Sequence, residues 1–184
     1  MTVNKEILKD VWSWHLYNDT KGIDFNGFLV KTGKKEWVAI DPATFTDLNH
    51  LKKFKVNAVL LTNADHARDA KKFKDFFQCK ILVNEKDAPL LEDVKADGTF
   101  KNGDVVHGMR VVEVPDNKTP GESAFLWEER KILVVGDAVV GKPMWKLNLL
   151  ADDKYKDVQK AREGIKVLYN LNYDIMLVGD GEHP

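Results

Sequence analysis

Short apolar runs that stop on an aspartate dominate the pattern of this chain. Trp37-Val38-Ala39-Ile40 runs into Asp41 and Ala58-Val59-Leu60-Leu61 into Thr62-Asn63-Ala64-Asp65; Ile132-Leu133-Val134-Val135 runs into Gly136-Asp137 and Ile175-Met176-Leu177-Val178 into Gly179-Asp180. Continuous Val/Ile/Leu runs of this length, bounded by turn residues, read as strands buried on both faces. Ligands of layered α/β proteins collect at the carboxyl ends of such strands, so these aspartates are expected to converge on one pocket. A single aspartate after a strand is commonly a turn former or helix cap, and that is the reading of Asp41 taken alone. Four in one chain point to a site built on acidic residues.

The remaining pattern fills in the elements around these runs. Phe25 to Val30 and Glu36 to Ile40 read as strands joined by a turn at Thr32-Gly33-Lys34-Lys35. Leu48, Leu51 and Phe54 place a short helix over Asp47 to Lys55, and Ala70, Phe73, Phe76 and Phe77 stripe a second over about His66 to Gln78. Lys80 to Val83 is a strand, and Lys86 to Leu91 starts a helical turn. In the second half, Gly103 to Val114 suggests strands about a turn at His107-Gly108. Ser123 to Trp127 and Lys131 to Val135 form a hairpin across Glu128-Glu129-Arg130. Val158, Ala161, Ile165 and Leu168 stripe a helix over about Asp157 to Asn170, and Asp174 to Val178 is the last strand. Grouped strands with helices between them argue for a layered α/β sandwich.

Composition narrows the function. At 184 residues and 43% hydrophobic, the chain can bury a core without staples. Its 28 basic and 29 acidic residues nearly cancel, so no nucleic-acid or membrane surface is expected. Cys79 is the only cysteine, which excludes an internal disulfide and a cysteine-based metal cluster, and it reads as buried filler. Met1 to Glu6 lacks the apolar stretch of a signal peptide, and a cytoplasmic location is the default expectation. Nucleotide-binding glycine motifs and the G-x-S-x-G nucleophile pattern are absent.

Six pieces then carry a family resemblance. Asp24-Phe25-Asn26-Gly27, Ile40-Asp41-Pro42, Leu60-Leu61-Thr62, Thr119-Pro120-Gly121, Val135-Gly136-Asp137 and Val178-Gly179-Asp180-Gly181 stand in the order and spacing of the metallo-β-lactamase-fold hydrolases. The chain resembles that family from about Trp12 onward. The resemblance implies one domain over 1–184: an αβ/βα four-layer sandwich, with two mixed sheets face to face, helices outside, and a metal site along one edge. It also implies one or two metals, usually zinc, held by a His-x-His-x-Asp-His motif after the second buried strand. A His before Thr-Pro-Gly, a bridging Asp and a His in a final glycine turn complete the set. With Thr62 as the residue before the motif, these positions fall on Asn63, Asp65, Ala67, Arg68, Lys118, Asp137 and Asp180, and only Asp137 keeps its type.

The replacements decide what that edge can do. Zinc needs imidazole, thiolate or carboxylate lone pairs. Ala67 offers nothing, Arg68 is a permanent cation without an acceptor, and Lys118 is a cation unless strongly desolvated. Side-chain cations are therefore expected where metals stood, and no cofactor is expected. A second register, two residues back, makes Asp65-His66 the Asp-His pair but puts Leu61 at the first His and loses the preceding Thr. In the first register His66 is a non-ligand, exposed or capping. Packing is the reading for His15, solvation for His50 and His107, and a chain-end position for His183.

The leading expectation is a family member with a degenerate metal site, hydrolase-like in shape but lacking zinc hydrolysis, that binds a small molecule in the strand-end cleft. The rival is a hydrolase of an ester, thioester or phosphoester using one weakly bound divalent metal (Mg, Mn or Zn) on Asp65, Asp137 and Asp180. A structural or interaction subunit is a third class, and the oligomeric state stays open. The irregular connection Gly141 to Tyr155 reads either as a surface loop burying Trp145 and Leu147, or as a lid whose Trp145 and Tyr155 line the pocket mouth.

Overall fold

Both faces of every apolar run are covered because the runs lie inside a pair of stacked sheets. The computed structural model describes residues 5–43 and 47–182; Met1 to Asn4 and His183 lie outside the described residues. Among the described residues, the first sheet carries seven strands in chain order: β1 (Lys5–Leu8), β2 (Val11–Asn18), β3 (Ile23–Lys31), β4 (Trp37–Ile40), β5 (Val56–Leu60), β6 (Lys80–Asn84) and β7 (Gly98–Phe100). The second has five, β8 (Val105–Val106), β9 (Met109–Glu113), β10 (Ser123–Trp127), β11 (Ile132–Val135) and β12 (Ile175–Val178), in spatial order β12-β11-β10-β9-β8. Both sheets are mixed: β4 to β7 run parallel, as do β11 and β12, and the other neighbours are antiparallel.

Period-two alternation sorts the strand residues into layers. Phe28, Val30, Val38, Ile40 and Leu60 of the first sheet meet Phe125, Trp127, Ile132 and Val134 of the second in the central core. Their neighbours Ala39 and Val59 face outward onto Leu51 and Phe73, and Leu126, Leu133 and Val135 face outward onto Leu168. The outer layers are thin. Helix α1 (Ala70–Phe77) covers the first sheet, and α2 (Val158–Gly164), continued by a 3-10 turn at Ile165–Leu168, covers the second. The expected helix over 66–78 is split, because a separate 3-10 turn occupies Ala64–Ala67. The expected helix at 47–55 is likewise a 3-10 turn, Leu48–Leu51, capped by Asp47.

Strands β1, β2 and β7 add to the elements read from the sequence. His15, expected to pack, is exposed on β2, whereas the neighbouring Trp14 is buried, stacks on Phe73 and donates its indole N–H to Ala43 O at 3.1 Å. Cys79 is buried, and burial pushes its thiol up to about 11. Among the described residues no helix is long and apolar enough to cross a membrane.

The two sheets are tied together along one edge. Ser123 N donates to Thr62 O at 2.8 Å, and Asn26 N donates to Gly179 O at 2.8 Å. Asn26 Nδ2 bridges Val178 O at 2.9 Å and Gly181 O at 2.7 Å. This edge carries the carboxyl ends of β4, β5, β11 and β12.

Candidate functional site

Each strand along that edge delivers one carboxylate or its partner into the seam. Asp41 follows β4, and it is no mere turn former. Fully buried, it accepts from Thr62 N at 2.8 Å, Thr62 Oγ1 at 2.5 Å and His66 Nδ1 at 2.8 Å. Its backbone lies in the left-handed region (φ 45°), a conformation that Asp tolerates better than most side chains. Gly136, beneath the seam, has no room for more: a Cβ there would stand 2.2 Å from Thr62 Oγ1.

His66 is buried, against the expectation of an exposed or capping position. The capping role falls to Asn63, whose Oδ1 accepts from His66 N at 3.0 Å, and the ring turns inward to Asp41 instead. Its Nε2 faces Asp137 Oδ1 at 3.5 Å and Asp180 Oδ1 at 3.8 Å. Arg68, also at a positive φ (34°), lays its guanidinium on the Phe25 ring at 4.4 Å. From there it donates to Asn26 O at 3.1 Å and to Asp180 Oδ1, with Nη2 lying 3.1 Å from His66 Nε2. Lys118 Nζ sits between Asp65 Oδ2 at 2.6 Å and Asp137 Oδ2 at 2.8 Å.

Asn63, Asp65, His66, Arg68, Lys118, Asp137 and Asp180 are thus brought to one cluster, closed at its base by Asp41 and Glu122. Glu122 gave no signal in the sequence. It is buried, accepting from Asn63 Nδ2 at 2.8 Å and Ala138 N at 3.2 Å; burial, and the charge of Asp137 beside it, raise its carboxyl well above the ordinary range. Trp145 does not join the cluster. Val140 and Asn148 exchange backbone bonds at 2.9 and 3.0 Å, which loops the intervening tip into solvent and leaves Trp145 71% exposed. Leu147 is also exposed, so neither the burying loop nor a lid closed by Trp145 is present. Tyr155 is buried, its hydroxyl accepting from Leu150 N at 2.9 Å. Burial pushes that hydroxyl's pKa up, with Asp137 and Glu122 adding to the shift.

Charge holds the cluster together. Burial, and then Arg68, push the His66 ring towards neutrality, but Asp41 and Asp137 outweigh them and hold it up to about 10. Burial opposes ionisation of Asp137, yet His66 and Lys118 keep it well below the usual carboxylate range. Burial likewise works against the Lys118 ammonium, and Asp137 and Asp65 carry it well above the ordinary lysine value. The sign of the His66 effect is testable. The unfolded ring gives up its proton near 6.5 and the folded ring near 10. The stabilisation is therefore complete below pH 6.5 and lost as pH rises towards 10, at roughly 1.4 kcal/mol per pH unit for one proton. Melting temperatures from pH 6.5 to 9.5 should fall steeply for the wild type and less for His66→Gln; parallel curves would show that the ring folds uncharged.

The family's zinc arrangement does not fit this donor set. Ala67 has no ligand atom, Arg68 and Lys118 have no lone pair to offer, and both cations are bonded to carboxylates that would face an ion. Among the described residues one three-donor group remains: atoms of His66, Asp137 and Asp180 lie within 4.8 Å of one another. The acidic trio read from the sequence differs by Asp65, which is 50% exposed and turned to Lys118.

Comparison with known proteins agrees with this architecture. The model of the metallo-β-lactamase superfamily matches residues 5–183, and the chain belongs to that superfamily. No curated protein sequence matches it significantly. Among solved structures, the DIM-1 metallo-β-lactamase superposes with a TM-score of 0.78 at 16% identity, over 98% of this chain and 90% of that one. VMB-1 gives 0.80 at 16% over 98% and 90%, and a metallo-β-lactamase from Pontibacter korlensis 0.77 at 18% over 99% and 92%. At these identities the likeness is one of fold.

Proposed function

We propose that this chain is a metal-independent member of the superfamily, which binds a small molecule in the strand-end cleft and does not hydrolyse it through zinc. One observation carries the reading: Arg68 and Lys118 are paired with Asp180, Asp65 and Asp137 along the metal edge. These pairings support the register in which Arg68 and Lys118 take histidine positions. Cations there neutralise the carboxylates that a metal would otherwise neutralise, and Coulomb repulsion opposes loading of a dication beside them. Space for a ligand flanks the cluster. A groove of about 640 Å³ reaches it at Arg68, and a cavity of about 270 Å³ borders Gly181, next to Asp180.

Elemental analysis of the purified chain is expected to find no stoichiometric zinc, manganese or iron. A ligand library should then raise the melting temperature of the metal-free protein, because a ligand stabilises the state it binds. One tightly held ion per chain would sink the reading. The second reading, a hydrolase using one ion, is favoured by the His66, Asp137 and Asp180 group alone. It predicts that stoichiometric ion.

A further inference from the structure

We infer that Arg68 plugs a one-ion site formed by His66 Nε2, Asp137 Oδ1 and Asp180 Oδ1, so that its guanidinium and a divalent cation compete for the same position. The inference rests on the metal-independent reading of the wild-type chain. Asp137 and Asp180 stand at ligand positions of the family's motif, but His66 does not: it lies between ligand positions in the register that places Arg68 at the motif's last histidine.

Two donor separations are close to those around an ion, and all three donor atoms lie within 4.8 Å of one another. His66 Nε2 lies 3.5 Å from Asp137 Oδ1 and 3.8 Å from Asp180 Oδ1. Atoms bonded tetrahedrally to one zinc at about 2.0–2.2 Å stand roughly 3.3–3.6 Å apart, so small movements would complete a coordinating face. Behind the ring, Asp41 Oδ2 holds Nδ1 at 2.8 Å. A carboxylate on the far nitrogen is the arrangement that orients a ligating histidine and points its other nitrogen at the ion. An ion entering here would replace the proton on Nε2, which is released to solvent. Asp137 divides its oxygens, giving Oδ2 to Lys118 and turning Oδ1 to the ring. Lys118 therefore need not leave for an ion to enter.

Arg68 fills the remaining space. Its Nη2 is 3.1 Å from His66 Nε2 and donates to the Asp180 oxygen that belongs to the same donor group. Phe25 below and Asn26 O beside it keep the guanidinium in place. A guanidinium bonded to one donor and abutting a second leaves no room for an ion, and repulsion between the charges forbids joint occupancy.

The test uses the full chain and cobalt(II), whose visible absorption reports coordination. Wild type, Arg68→Ala and the double variant Arg68→Ala/His66→Gln are titrated, with circular dichroism as the control for folding. Arg68→Ala is expected to bind one cobalt per chain at least tenfold more tightly than wild type, and the double variant to lose that gain. A folded Arg68→Ala that, like wild type, takes up no stoichiometric cobalt overturns the inference and leaves the metal-independent reading standing. So does a double variant that binds as well as the single one. Wild type binding one ion as tightly as Arg68→Ala overturns both. Should Arg68→Ala fail to fold in chelator, Arg68→Gln replaces it. If that too is unfolded, refolding in cobalt decides: recovery that depends on His66 supports the plugged site, and no recovery overturns it.

Discussion

Asp41→Ala is expected to lower the melting temperature by about 6–20 °C, the largest effect of any single change at the strand-end edge. Asp41 is fully buried and is the acceptor for Thr62 N, Thr62 Oγ1 and His66 Nδ1. Removing one partner of a buried charge pair costs about 3–5 kcal/mol, and a domain of this size loses roughly 2–4 °C per kcal/mol. The left-handed backbone at φ 45° adds to the cost, since alanine accepts it less readily than aspartate. Asp41→Asn separates the contributions. It keeps the size and the backbone tolerance but removes the charge that helps to hold the His66 proton, so it should melt between wild type and Asp41→Ala. It should also flatten the pH dependence between 6.5 and 9.5. Thermal unfolding followed by circular dichroism checks both. A melting temperature for Asp41→Ala within about 2 °C of wild type would mean that the buried carboxylate is not what holds the edge.

Lys118→Ala is expected to cost about 3 kcal/mol, the lower end of the range for a broken buried pair. Two exposures set that choice. The Lys118 side chain is 24% exposed, and its second partner Asp65 is half exposed, so water screens part of the interaction. Asp137 itself is buried and would lose the ammonium 2.8 Å away while keeping His66. Lys118→Met preserves the apolar stem and should cost nearly as much if charge rather than packing is what matters. Adding magnesium or manganese should return part of the lost melting temperature to either variant, because the ion restores positive charge between Asp65 and Asp137. Wild type should respond little. Variants that melt like wild type in chelator, together with a wild type stabilised by stoichiometric metal, would favour the one-ion hydrolase instead.

These effects concentrate at an edge whose carboxylates are visible in the sequence but whose wiring is not. The apolar runs before Asp41, Asp137 and Asp180 announce strands because burial on both faces demands continuous apolar residues, a local property of the chain. The hairpin at 123–135 and the amphipathic stripe over Val158 to Leu168 are legible for the same reason. Order and spacing of the glycine and aspartate turns were enough to indicate the superfamily, and with it the layered architecture. Arg68 and Lys118 could be named from the motif positions they occupy. By contrast, the inward turn of His66 depends on Asp41, 25 residues earlier, and the seam depends on Asn26 reaching Val178 and Gly181, 152 and 155 residues away. No local periodicity encodes such bonds. Glu122 follows Thr119-Pro120-Gly121 like any loop acid, and only the closing of β10 against Thr62 buries it. Trp145 fails in the opposite direction, because a large aromatic residue in a long loop suggests burial or a lid. The Val140 and Asn148 bridge holds it out in solvent. Sequence alone determined which strands form and which charges arrive at their ends. Tertiary structure decided which charge faces which, because pairing across two sheets is set by the distance between chain ends that packing brings together.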